Sequence, residues 1–152
     1  MADITIVSGS TLGSAEYVAE HLAGILENQG FTATVLHGPE LEEMALEGLW
    51  LIVSSTHGAG DLPDNLQPLF EQLETEQPSL ANVRYGAVGI GSSEYDTFCG
   101  AIDAIDRHMI ARGAVRIGEI LKIDITQHEI PEDPAEEWAE SWIDLIKTKK
   151  DR

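Results

Sequence analysis

Three short loops in this 152-residue chain hold the residue types that bind a phosphate and a flat ring. The first, "SGSTLGSAE", lies between the apolar run "ITIV" and the amphipathic run "YVAEHLAGIL". It offers consecutive backbone N–H groups at a helix start and hydroxyls on Ser10, Thr11 and Ser14, a set that can cradle an anion through hydrogen bonds and helix partial charge. It lacks the Gly-Lys-Ser/Thr of a P-loop and the full dinucleotide fingerprint, and it has no Lys or Arg; an ordinary capped turn has the same composition. In the second loop, "SSTHGAGDLPDN", Gly58 and Gly60 flank Ala59, giving a backbone able to take or flip into positive φ beside a flat ligand. His57 is placed to cover one face of such a ligand, or else to be a solvated loop histidine. Asp61 and Asp64 suit turn and cap roles. In the third loop, "GIGSSEYDTFCG", Tyr95 follows a Gly/Ser turn and precedes a helix, so its ring either projects over the strand ends or packs on its own domain. Cys99, expected three residues into that helix, suits a small buried side chain; as a thiolate it would need a basic neighbour, for which His57 is the candidate.

Alternating strands and helices must carry these loops. The apolar runs Ile4–Val7, Leu49–Val53 and Tyr85–Ile90 each end in Gly, Ser or Thr, and Phe31–His37 and Val115–Asp124 supply two further strands. Helical spacing places Val18, Leu22, Ile25 and Leu26 on one face, with Gly30 as a C-terminal cap. A second helix from an Asp64 cap carries Leu66, Leu69, Phe70 and Leu73, with Pro68 in its first turn. A third carries Ile102, Ile105 and Met109 and stops at Gly113; a last one starts near Pro134 and presents Trp138, Trp142, Leu145 and Ile146. The pattern predicts one α/β domain over residues 1–152, a five-stranded parallel sheet in the order 2-1-3-4-5 with helices on both faces. In that architecture ligands bind beyond the carboxyl ends of the strands at the switch point, where the three loops converge.

Composition narrows the partners. Nine Lys and Arg stand against 27 Asp and Glu, a formal net charge of −18, which argues against nucleic acid or an anionic membrane and suits docking to a basic protein. A single cysteine excludes an internal disulfide and a multi-cysteine metal site, so no metal is expected. No apolar stretch approaches the ~20 residues of a spanning helix, and "MADITIV" lacks the basic flank and long core of a signal peptide. A cytoplasmic monomer is the expectation.

Together the loops resemble those of the flavodoxin-like FMN-binding family, particularly the flavodoxin domains of cytochrome reductases and sulfite reductase flavoproteins. Those loops read roughly G-S-x-T-G-x-A-E, T-Y-G-E-G-D-x-x-D-N and G-x-G-x-x-x-Y-x-x-F; here they read "GSTLGSAE", "THGAGDLPDN" and "GIGSSEYDTF". The resemblance covers essentially the whole chain and implies a short-chain flavodoxin fold with FMN as cofactor. By position it assigns Ser10, Thr11, Leu12, Gly13, Ser14 and Ala15 to the FMN phosphate loop. Ser55, Thr56, His57, Gly58, Ala59 and Gly60 fall along one side of the ring, with Gly58 at the peptide that flips toward flavin N5 on reduction. Gly91, Ser92, Tyr95, Phe98 and Cys99 fall along the other side, with Tyr95 at the stacking tyrosine. Asp124 matches an acidic residue near the ribityl chain or ring. Leu12 replaces the threonine of those loops and Ala15 stands where many flavodoxins have another, removing hydrogen bonds worth roughly 0.5–1.5 kcal/mol each, so FMN is expected to bind more weakly than in standard flavodoxins. His57 replaces a larger aromatic, which reduces stacking area and makes binding sensitive to pH.

The resemblance implies an electron carrier without its own substrate turnover, supplied by an NADPH-dependent flavodoxin reductase and serving a basic-surfaced biosynthetic acceptor, biotin formation among them. An acidic surround lowers the flavin's potential by penalising its anionic reduced form. A non-redox FMN-binding or interaction module remains the alternative reading of the residues. A small flavin or quinone reductase would need a nicotinamide site, and the sequence offers no second phosphate loop or basic pocket for one.

Overall fold

The computed structural model describes residues 3–9, 14–38, 40–44, 47–55, 66–91, 100–124 and 132–150. In chain order the elements are β1 (Asp3–Gly9), α1 (Ser14–Asn28), β2 (Thr32–His37), a 3-10 turn (Leu41–Glu43), β3 (Gly48–Ser55), α2 (Gln67–Glu76), β4 (Val83–Gly91), α3 (Gly100–Ala111), β5 (Val115–Arg116), β6 (Leu121–Asp124) and α4 (Glu132–Lys150). Every described strand pair is parallel, in the order β2-β1-β3-β4-β5, with β6 also paired to β4. The expected strand order is therefore observed.

The unbroken apolar runs of β1, β3 and β4 follow from burial on both faces, since successive side chains point to opposite sides of a sheet. Ile4, Ile6, Leu51, Val53, Val88 and Ile90 join α1 and α4 in one core, whereas Val7, Trp50, Ile52, Tyr85 and Ala87 join α2 and α3 in the other. Gly86 is a point of close approach. A Cβ there would sit 2.6 Å from two indole atoms of Trp142, so glycine lets α4 lie against β4.

The stretch expected as one strand over Val115–Asp124 is two. The chain leaves the sheet after Arg116 and re-enters at Leu121. Gly118, at φ 76°, turns it through the left-handed region. The carbonyls freed by this break are met by α4: Trp142 Nε1 donates to the Ile117 carbonyl at 3.1 Å and Trp138 Nε1 to that of Glu119 at 3.0 Å. The two indoles stack with centroids 5.4 Å apart at 15°. An uninterrupted apolar alternation hides such a break, because the partner that compensates it comes from a helix twenty residues further on.

Two helix details also differ from expectation. The N-cap of α2 is Leu66, without a side-chain cap bond, and Pro68 lies in the first turn as expected; Asp64 lies outside the described residues. On α4 the buried stripe is Ala135, Ala139, Trp142, Ile143 and Ile146, while Leu145 is 39% exposed. Cys99, expected within the third helix, lies outside the described residues, which resume at Gly100.

A polar clamp fixes α3 to the sheet. The buried Tyr85 hydroxyl donates to Asp106 Oδ1, and Arg116 Nη1 donates to Asp106 Oδ2 at 2.8 Å. The side chain of Arg112 joins the two helices, with Nε donating to the Leu73 carbonyl at 2.7 Å and Nη1 to that of His108 at 3.1 Å.

Candidate functional site

The strand registers align one edge of the sheet. Gly9 pairs with Ser54, Ser55 with Ile90, and Gly91 with Asp124, so β1, β3, β4 and β6 finish side by side. At the usual spacing of about 4.8 Å per strand, these ends span roughly 15 Å. Residues 10–13, 56–65 and 92–99 follow directly from three of these ends, and α1 begins at Ser14 after the first. This is the switch point, since β1 and β3 are neighbours and their crossovers run to opposite sides.

Buried polar side chains mark the same edge. Ser8, Ser54, Asp106 and Asp124 are the buried polar residues among those described, and three of the four lie within the last two positions of β1, β3 and β6. The buried positions below them on these strands are apolar. Burying a polar group is unfavourable unless it is hydrogen-bonded, so their concentration at one edge points to a polar region there. Ser8, fully buried, is hydrogen-bonded through Oγ to Nδ1 of His37, its register partner on the edge strand β2. The Gly38 amide donates to the Ser8 carbonyl at 3.0 Å and closes that corner. At the end of β1, a Cβ on Gly9 would collide with the side chain of Leu66, so the residue before the first loop must be glycine for Leu66 to seal the core from that side.

The electrostatics of the edge rest on backbone. The fifteen-residue helix α1 starts here; the first N–H groups of a helix have no intrahelical partner and carry about half a positive charge. Its first turn carries Glu16 and no basic residue, and the chain contains no Lys or Arg before Arg84. Ala15 is fully buried among Val18, Ala19 and Leu22. Its methyl group therefore serves the core, leaving its amide as its means of contact with an anion. Amides at a helix start with neighbouring hydroxyls suit a phosphate without a cationic side chain, and the residues here fit the phosphate of FMN on that ground. No group of His, Cys, Asp or Glu arranged to hold a metal occurs among the described residues.

The expected site residues divide accordingly. Ala15 and Asp124 are described in full: Ala15 in the first turn of α1, Asp124 at the end of β6 and 8% exposed. Ser14, Ser55 and Gly91 are placed by backbone at the start of α1 and the ends of β3 and β4. Ser10, Thr11, Leu12, Gly13, Thr56, His57, Gly58, Ala59, Gly60, Ser92, Tyr95, Phe98 and Cys99 lie outside the described residues. Sequence reasoning passed over Ser8, Ser54 and His37. Their signal was a hydroxyl residue at the end of an otherwise apolar strand, beside a histidine ending its neighbour.

The chain matches the family model described as Flavodoxin over residues 6–138. It is 62% identical to Protein MioC of Escherichia coli over 147 residues, covering 97% of this chain and all of that one. It is 37% identical to Flavodoxin YqcA of the same species over 148 residues, covering 96% and 99% of the two chains. Among solved structures, a cysteine-to-serine mutant of the flavodoxin from Pseudomonas aeruginosa superposes with a TM-score of 0.88 at 33% identity, over 95% of this chain and 99% of that one.

Proposed function

Because the chain belongs to the flavodoxin family, we propose that it takes electrons from an NADPH-dependent flavodoxin reductase and delivers them to a basic-surfaced biosynthetic acceptor, with biotin formation the first case to test. It is a flavodoxin-type electron-transfer protein, and FMN is the cofactor the family implies. Bound FMN supplies one-electron chemistry; the polypeptide binds, orients and shields it.

The observation that carries this reading is the aligned edge of strand ends, with α1 starting beside Gly9 and buried Ser8, Ser54 and Asp124 along it. In the proposed assignment Ser10 to Ala15 hold the phosphate through amides and the hydroxyls of Ser10, Thr11 and Ser14. Ser55 to Gly60 lie along one side of the ring, and Gly91 to Cys99 along the other with Tyr95 stacked on it. Asp124 stands at the far end of the row and adds negative charge, which favours the oxidised ring over its anionic reduced form. The net charge of −18 attracts a basic partner into a fast, transient encounter.

Titrating the apoprotein with FMN and following absorbance and fluorescence tests the reading, with stepwise reduction by a flavodoxin reductase and NADPH as the second stage. The expected result is saturable uptake of one FMN per chain, followed by reduction that depends on the reductase. A protein that takes up no FMN overturns the carrier reading and leaves the interaction module. NADPH consumption by the holoprotein alone would make it an enzyme instead.

A further inference from the structure

Away from the strand-end edge, α2 and α3 enclose an open cleft of about 300 Å³ lined by Glu74, Ala104, Arg107, His108, Ala111 and Arg112. Glu74, Arg107, His108 and Ala111 lie in the C-terminal halves of these helices, with Ala104 three residues before Arg107 and Arg112 just past the end of α3, whereas the strand ends lie where the helices begin. The chain carries three acidic residues for each basic one, so an arginine here would ordinarily find a carboxylate. Arg116 pairs with Asp106 and Lys122 with Asp103. Arg107 is exposed and pairs with no described carboxylate, although Glu74 lines the same cleft. Arg112 uses two of its N–H groups on the carbonyls of Leu73 and His108, which leaves three of its five donors uncommitted to those bonds. Ala104 and Ala111 add only methyl groups to the lining of the cleft.

We propose that this cleft is an anion site that takes a phosphate or pyrophosphate group, free or carried on a nucleotide, through the guanidinium of Arg107 and the remaining N–H groups of Arg112. Planar guanidinium donors match phosphate oxygens in pairs, and an arginine already held in place loses little freedom on binding. Arg112, just past the end of α3, is fixed in advance by its bonds to both helices, and Arg107 lies five residues earlier, within α3, lining the same cleft. Glu74 is the acid facing the cleft and sets the limit on affinity by repulsion.

His108 gives the site a local reporter. Its ring packs against Phe70 with centroids 5.6 Å apart. Burial holds its pKa below the ordinary histidine value, Arg112 and Arg107 lower it further, and Glu74 raises it. A bound phosphate cancels the influence of the two arginines, so the imidazole regains protons at higher pH.

The test is an NMR titration of the histidine rings in protein saturated with FMN, with inorganic pyrophosphate and ADP in separate arms and sodium chloride at matched ionic strength. The expected result is a saturable rise of about half a unit or more in the His108 pKa, with His21 and His37 as internal references. Tighter binding of ADP assigns the group to a nucleotide; equal binding assigns it to the free anion. Arg107→Ala should weaken binding about tenfold and remove the shift, Arg107→Lys should retain part of it, and Glu74→Gln should strengthen binding. No saturable shift up to about 10 mM, the same shift with matched chloride, or unaltered binding by Arg107→Ala overturns the proposal. The readout lies at His108, so its failure is distinct from a failure to bind FMN.

Discussion

Tyr85 and Asp106 show how much a single buried polar contact governs here. The hydroxyl is wholly enclosed, and its pKa is held well above the ordinary tyrosine value, first by burial and then by the hydrogen bond and negative charge of Asp106. The folded protein therefore keeps the proton after an unfolded tyrosine has released its own. The stability this confers is complete below about pH 10 and falls as pH rises above it. Urea midpoints at pH 8 and at about pH 10.5 should show that decline in the native protein and a shallower one in Tyr85→Phe. At neutral pH the same substitution should cost about 1–2 kcal/mol, because one oxygen of the buried Asp106 loses its donor while Arg116 still satisfies the other. A urea midpoint equal to that of the native protein would refute the account.

At the scale of elements, α4 is the support for the broken edge of the sheet. Its two tryptophans meet the carbonyls of Ile117 and Glu119, but only Trp142 does so in a buried setting. Trp142→Phe should cost about 2–3 kcal/mol, from the orphaned carbonyl and the lost ring volume. Trp138→Phe should cost under about 1 kcal/mol, since water can reach the carbonyl of Glu119. Denaturant unfolding of both variants checks the order, and equal costs would contradict it. Gly86→Ala should likewise lose about 1–3 kcal/mol by pressing a methyl group into the Trp142 indole, a rigid ring with nowhere to retreat.

For the molecule as a whole, charge and ligand set the behaviour. All nine Lys and Arg fall at or after Arg84, so β1, α1, β2, β3 and α2 carry no permanent cation. Self-repulsion at a net charge of −18 is screened by salt, and added salt should raise the thermal midpoint of the apoprotein at pH 7, read by circular dichroism. Electron delivery to a basic acceptor should move the opposite way, slowing about tenfold between low and high ionic strength as steering is lost. FMN at 100 times its Kd should stabilise the fold by about 2.7 kcal/mol, measurable as a shift in urea midpoint. A salt-independent transfer rate would remove the acidic surface from the mechanism.

Periodicity in the sequence was enough to establish the alternation of strands and helices and many of their buried positions, because each is a local consequence of where apolar side chains must point; the strand order followed from the architecture such alternation adopts. Loop composition carried the family resemblance for the same reason: glycine, hydroxyl and aromatic positions are legible one residue at a time. Other features depend on groups far apart in the chain. The break after Arg116 exists because two indoles of α4 satisfy it; the apolar face of α4 includes Ile143 and leaves out Leu145 because of what lies beneath; Asp106 is tolerable in a core because Tyr85 and Arg116 reach it. Ala15 is the plainest case. In the sequence it is a missing hydroxyl in a phosphate loop, whereas in the fold its methyl group lies wholly in the core, so that packing, which only the tertiary structure specifies, decides which of its atoms can face a ligand.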